Sequence, residues 1–217
     1  MNGEPTGPVE IRQLFPVPIM VTEVSNAPAL NAALMDVIQK NRAQSAGLAR
    51  SNILGWHSDT EMLRWGGEPA KTLGLAMLQT CGQRTDDIGM KSGQPRYEMH
   101  MEMWANISPA NASNQMHCHP GCIWSGVYYV DDGGDRSSKL VLLDPNYPTN
   151  RMYAPDLQFV GPGGERFPVR HEVEPAPGRM VIFPSWLNHA VKPNRGPRDR
   201  ISIAMNVMAL PDRAAGS

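Results

Sequence analysis

The chain has 217 residues, enough for one domain with a substantial core. Its 20 Lys and Arg against 21 Asp and Glu leave a formal charge of −1, which excludes attraction by bulk charge to nucleic acid or an anionic membrane. Three cysteines without a CxxC pair argue against a disulfide framework and for a reducing compartment, and "MNGEPTGPVEIRQ" shows no basic, apolar leader, so a cytoplasmic protein is expected.

In chain order, "IRQLFPVPIMVTEV" (11–24) is rich in strand formers, but Pro16 and Pro18 remove ladder donors, which predicts an edge strand able to pair across a homodimer. "SNAPALNAALMDVIQKNRAQ" (25–44) opens on a capping Ser or Asn and places Leu30, Leu34, Val37 and Ile38 at helical spacing. A second helix is expected over 68–89, with Pro69 in its first turn and Leu73, Leu75, Met77 and Leu78 on or near its buried side. The stretch between them, "NILGWHSDTEMLRWGG", reads as a loop. From about residue 96 the pattern changes to short strands: "RYEMHMEMWANI", "CIWSGVYYVDD", "SKLVLLDP", "LQFV", "RFPVRHEVEP", "RMVIFPSW", "HAVKPN" and "RISIAMNVMAL". Helices first and strands afterwards fit a mainly β jelly roll with N-terminal helices packed outside better than alternating βαβ units. One domain over 1–217 is expected, with the strand and helices in 1–95 and the jelly-roll core in 96–210. The Pro- and Gly-bearing stretch from Pro145 to Gly178 has the length and irregularity of a cover over a site.

The chemistry-bearing stretch is "NQMHCHPGCIWSGVYYV" (114–130). On a strand, His117 and His119 would share a face with Cα atoms roughly 7 Å apart, suited to two ligands on one metal, while Cys118 points away. "GRMVIFPSWLNHAVKP" adds His189, and "RDRISIAMN" places Arg200 and Ser202 on one strand face. A guanidinium turned into a barrel is costly unless it meets an anion, and its planar fork matches a carboxylate.

Taken in order, "HCHP", "SGVYYV", "LLDP", "GRMVIFPSWLNHAVKP" and "RISIAMN" resemble a family of 2-oxoglutarate/Fe(II)-dependent oxygenases over roughly 96–208. The resemblance implies a double-stranded β-helix of cupin-like form, with Fe(II) at His117, His119 and His189 in the barrel mouth and the distal carboxylate of 2-oxoglutarate held by Arg200, helped by Ser202. Most of the wider superfamily has a carboxylate where this chain has His119, so Glu102, Asp131 and Asp144 stand as alternative ligands; His119 is preferred, because each Asp adjoins a turn that gives it a structural use. Of Tyr128 and Tyr129, which must alternate faces, Tyr128 is assigned to the pocket beside the cosubstrate and Tyr129 to packing. Trp104, Asn106 and Asn206 are inward candidates. His57, His100 and His171 lack a partner spacing and default to structural or solvated roles.

Three readings follow. The first is a dioxygenase that hydroxylates or oxidises a small molecule or peptide with release of succinate and CO2. The others are a cupin-like metal-binding domain without turnover and a three-histidine iron dioxygenase that does not use 2-oxoglutarate.

Overall fold

A computed structural model describes residues 10, 14–89, 93, 96–146 and 157–211. Its elements are β1 (Met20–Glu23), α1 (Ala27–Gln44), β2 (Asn52–Ile53), β3 (Trp56–His57), α2 (Met62–Trp65), α3 (Gly67–Gly82), β4 (Tyr97–Ser108), β5 (Ser113–His117), β6 (Trp124–Asp131), β7 (Leu140–Leu143), β8 (Arg170–Val173), β9 (Arg179–Pro184), β10 (His189–Val191) and β11 (Arg200–Pro211). They form two antiparallel sheets, ordered β1-β9-β6-β11-β4-β3 and β2-β5-β10-β7-β8. This is the mainly β jelly roll that the order of helices and strands implies. No helix among the described residues is long and apolar enough to cross a membrane.

Alternation along the long strands builds two environments. On β11, Ile201, Ile203, Met205 and Val207 pack with Leu34 and Ile38 of α1 and Leu73 and Met77 of α3 in one apolar cluster. β4 adds Met103, Ala105 and Ile107 to it, and β6 adds Trp124, Tyr128 and Val130. The opposite faces turn into the barrel. There Tyr129, Val181 and Phe183 of the larger sheet meet Leu140, Leu142 and Val173 of the smaller one, closing one end of the interior with apolar side chains.

Several expectations are corrected. α1 starts at Ala27; the preceding Asn26 is left-handed (φ 53°) and its side chain makes no capping bond, so Pro28 in the first turn favours the start instead. Leu75 of α3 is exposed, because the face between Leu73 and Met77 is the one laid on the sheet. The region expected as a loop carries β2, β3 and α2, and β5 was not among the expected runs. Two-residue strands have no periodicity of their own; long neighbours recruit them, as β4 recruits β3 through Trp56↔Ile107 and His57↔Asn106. "LQFV" forms no strand, and only Val160 bridges to Arg166. The edge strand shortens to β1, which does lie at a sheet edge; residues 11–13 of that expected span fall outside the described ones.

Gly47 fixes the segment that reaches β2. Its φ is +80°, and a Cβ there would stand 2.6 Å from a Trp56 ring carbon and 2.9 Å from the His57 carbonyl oxygen. Leu48 N donates to that same carbonyl at 2.8 Å. Gly47→Ala is therefore expected to cost about 1–3 kcal/mol in urea unfolding, and an unchanged midpoint would show that the approach relaxes freely.

Candidate metal centre and active site

His117 ends β5 and His189 opens β10, and the two are register partners across the smaller sheet. His119 lies just past β5, held by its backbone N–H donating to the Ser185 carbonyl at 2.9 Å. The ring centroids are 4.3 Å (His117–His189), 4.9 Å (His117–His119) and 5.1 Å (His119–His189) apart. One nitrogen from each ring lies within 4.8 Å of the others.

Local hydrogen bonds orient two of the rings. His117 Nδ1 donates to the Gln115 carbonyl at 2.7 Å, and His189 Nδ1 to the Leu187 carbonyl at 2.9 Å. Each bond puts the proton on Nδ1 and leaves Nε2 unprotonated, the tautomer a metal requires, with Ser51 Oγ 3.5 Å from His117 Nε2. Burial, then proximity to His117, pushes His119 down to about 4. Burial, again followed by His117, takes His189 down to about 3, against the opposing Leu187 hydrogen bond. Both rings are thus neutral and able to donate a lone pair at neutral pH.

These shifts set an acid sensitivity. An unfolded histidine takes up its proton near pH 6.5, whereas His119 and His189 resist it in the fold, so below 6.5 the unfolded chain binds more protons and stability falls as pH drops towards 4. The slope is at most about 1.4 kcal/mol per pH unit for each ring. The metal-free protein is expected to lose urea stability between pH 7.5 and 5.5, and His189→Asn to flatten the loss; a pH-independent midpoint would contradict the assignment.

A cavity of about 510 Å³ opens beside the triad. Its inner wall includes Trp104 and Asn106 of β4, Ser125 of β6, and Ser202 and Asn206 of β11. Trp104 stacks on His57 at 5.4 Å and meets His119 at 5.9 Å. Arg200 does not line the cavity. Residues two positions along the three strands around it do: Ser202, Asn106 next to Ser108, and Leu140 next to Ser138. The guanidinium is 1 % exposed, donating through Nη2 to Ser108 Oγ at 2.9 Å and through Nη1 to the Ser138 carbonyl at 3.3 Å. Its Nε, the Ser138 hydroxyl and Asn106 Oδ1 have no hydrogen-bond partner. Among the described residues no carboxylate pairs with Arg200, and burial lowers its affinity for its proton. A buried cation with an idle donor beside other unsatisfied polar atoms fits a missing anion.

The candidate residues now sort by position. Ser202, Trp104, Asn106 and Asn206 reach the cavity. Tyr128 does not: its hydroxyl donates to Asn31 Oδ1 at 2.6 Å, on the helix side of the sheet. The pleat turns Tyr129 inward, where burial pushes its hydroxyl up to about 12 against the opposing pull of the Arg200 charge. Glu102 borders the cavity but is not in the close group of histidines, nor are Asp131 and Asp144; Asp131 instead pairs with Arg198 at 3.0 Å. His100 is exposed beside Glu98. No described residue from Pro145 to Gly178 lines this cavity; those expected to cover it border a separate apolar groove or lie elsewhere, and 147–156 fall outside the described residues.

Three contributors escaped the sequence reading. His57, expected to be structural or solvated, is buried and lines the cavity, with Nδ1 donating to the Ser58 carbonyl at 2.5 Å. Arg50 stands on the wall because β2 pairs with β5. Asn194 is wholly buried, donating to the Ser108 and Arg198 carbonyls at 2.9 and 2.8 Å, and so ties the approach to β11 against the end of β4 that holds Arg200. A histidine beside a two-residue strand and an Asn in "KPNRGP" carry no periodic signal.

A jelly roll with converging neutral imidazoles at its mouth and a buried, anion-seeking arginine within belongs to the class of non-haem iron enzymes that use a carboxylate cosubstrate. Residues 102–206, from within β4 to within β11, match the family model described as "Putative 2OG-Fe(II) oxygenase". The protein is a 2-oxoglutarate/Fe(II)-dependent oxygenase, with Fe(II) and 2-oxoglutarate as its cofactors. A search of curated proteins gives no match. Among solved structures, a Pseudomonas putida prolyl-4-hydroxylase is similar at 17% identity and TM-score 0.58, covering 88% of this chain and 91% of its own. A Trichoplax adhaerens prolyl hydroxylase, solved with a hypoxia inducible factor oxygen degradation domain peptide, is 14% identical with TM-score 0.58, covering 92% and 87%. HygX from Streptomyces hygroscopicus, solved with nickel and 2-oxoglutarate, is 10% identical with TM-score 0.56, covering 88% and 82%. At these identities the likeness is one of fold.

Proposed function

We propose that the protein is a cytoplasmic dioxygenase whose Fe(II) is held by His117, His119 and His189 and whose 2-oxoglutarate is anchored by Arg200. The observation that carries this reading is the pairing of a three-imidazole group with a buried arginine that lacks a counterion in the same barrel. Iron bound there supplies oxygen activation, coupling decarboxylation of 2-oxoglutarate to succinate and CO2 with hydroxylation or oxidation of the substrate. His117 and His189 present preset lone pairs, because their Nδ1 protons are committed to Gln115 and Leu187. Arg200 offers its donors to the distal carboxylate, with Ser202 on the adjoining cavity wall and Tyr129 at its side. The apolar cluster of Leu140, Leu142 and Phe183 keeps water from that end and strengthens the charge contact. With three neutral ligands the site carries one more positive charge than a two-histidine, one-carboxylate set, which favours a dianionic cosubstrate. Should two copies associate, the open edge of β1 is the place for strand pairing.

The test is anaerobic addition of Fe(II) and then 2-oxoglutarate, watching for the visible charge-transfer band of the chelate, followed by oxygen-dependent succinate release. The band is expected with the wild-type chain. Iron bound without a band would leave the three-histidine dioxygenase or the non-catalytic metal-binding domain.

A further inference from the structure

Two opposite charges on the cavity wall belong neither to the close histidine group nor to the contacts of Arg200. Arg50 precedes β2 on the smaller sheet and Glu102 stands on β4 of the larger, so they face the cavity from different sheets. Both side chains are exposed, and among the described residues neither has a hydrogen bond or an ion-pair partner. Each lies by a different part of the triad. Ser51, next to Arg50, has its Oγ 3.5 Å from His117 Nε2. Arg50 also helps hold His57 below its usual range, after burial. Glu102 is two residues from Trp104 along β4, and Trp104 meets the His119 ring at 5.9 Å.

We infer that the substrate of this oxygenase is a small zwitterion, a free proteinogenic amino acid, with its carboxylate at Arg50 and its ammonium at Glu102. The inference rests on the oxygenase reading above and names the substrate of that same site. A simple anion would meet Glu102, a simple cation would meet Arg50 and the uncompensated charge of a three-imidazole metal site, and a neutral peptide segment would leave both charges unanswered. A molecule carrying both signs answers both. The remaining wall suits a compact polar ligand: Ser51, Thr60 and Asn114 offer hydrogen bonds, and the Trp104 ring offers an apolar surface for the carbon skeleton. At about 510 Å³ the cavity is of small-molecule size, and 2-oxoglutarate must share it.

The test uses the protein loaded anaerobically with Fe(II) and 2-oxoglutarate and titrated calorimetrically with each of the twenty proteinogenic amino acids. At least one is expected to bind. Its N-acetyl derivative and its carboxamide should each bind about 10-fold to 100-fold more weakly, the loss expected for a charged hydrogen bond. Arg50→Gln should weaken the free amino acid but not the carboxamide, and Glu102→Gln should weaken the free amino acid but not the N-acetyl form. No binding by any of the twenty overturns the inference, as does equal affinity for a doubly blocked N-acetyl carboxamide, which would indicate a peptide substrate, or indifference to both substitutions. The charge-transfer band in the same sample separates the two readings. Its presence without amino-acid binding fails the zwitterion alone; its absence with iron bound fails the oxygenase, while the heats still decide the zwitterion.

Discussion

Arg200→Met is expected to raise the KM for 2-oxoglutarate by about 30-fold to more than 1000-fold, the 2–5 kcal/mol typical of removing one member of a buried charge contact. The substitution keeps an unbranched apolar stem in place of the guanidinium and its charge. Its effect on stability should have the opposite sign. In the cofactor-free protein Arg200 is a buried cation with two neutral hydrogen-bond acceptors, an idle Nε and no carboxylate among the described residues. Replacing such a charge by an apolar side chain is often neutral or stabilising. The urea midpoint of the metal-free variant should therefore equal or exceed that of the wild type while cosubstrate binding collapses. A merely structural arginine would instead lower stability and leave the KM near its starting value.

His189→Ala is expected to lower Fe(II) affinity by at least about 100-fold, beyond the 10-fold to 100-fold usual for losing an outer-shell partner. His189 is the most buried of the three histidines at 6 % exposure and lies opposite His117 in the register of the smaller sheet. Removing it leaves two half-buried imidazoles and opens a gap against the Phe183 ring, now 4.8 Å from His189. Equilibrium dialysis with Fe(II), or with Co(II) as an air-stable substitute, reads the loss directly. Retained tight binding would mean that another donor, such as the Glu102 carboxylate on the cavity wall, completes the site, and would overturn the three-histidine assignment.

The residues that share a long strand were legible from sequence, because a period of two allows few arrangements. "RISIAMN" had to place Arg200 with Ser202 and set both against Ile201 and Ile203, and β11 does so. The HxH pair was readable for a similar reason, although His119 lies beyond the end of β5 rather than on it. Where a choice depended on which face the barrel closes towards, sequence offered little. Tyr128 and Tyr129 are chemically alike, and only the helices packed over β6 decide that Tyr128 meets Asn31 while Tyr129 turns inward. The outer wall was illegible for another reason. Arg50 and His57 reach the cavity through strands of two residues, which owe their existence to partners more than forty residues away.

His117 and His189 each lean on a carbonyl two residues back along their own segment. Orientation of these two imidazoles is thus set largely within two tripeptides, apart from most of the cavity wall. Selection can rewrite that wall, charge by charge, without unmooring the reactive centre, so one barrel of this kind can pass from one metabolite to another in small, viable steps.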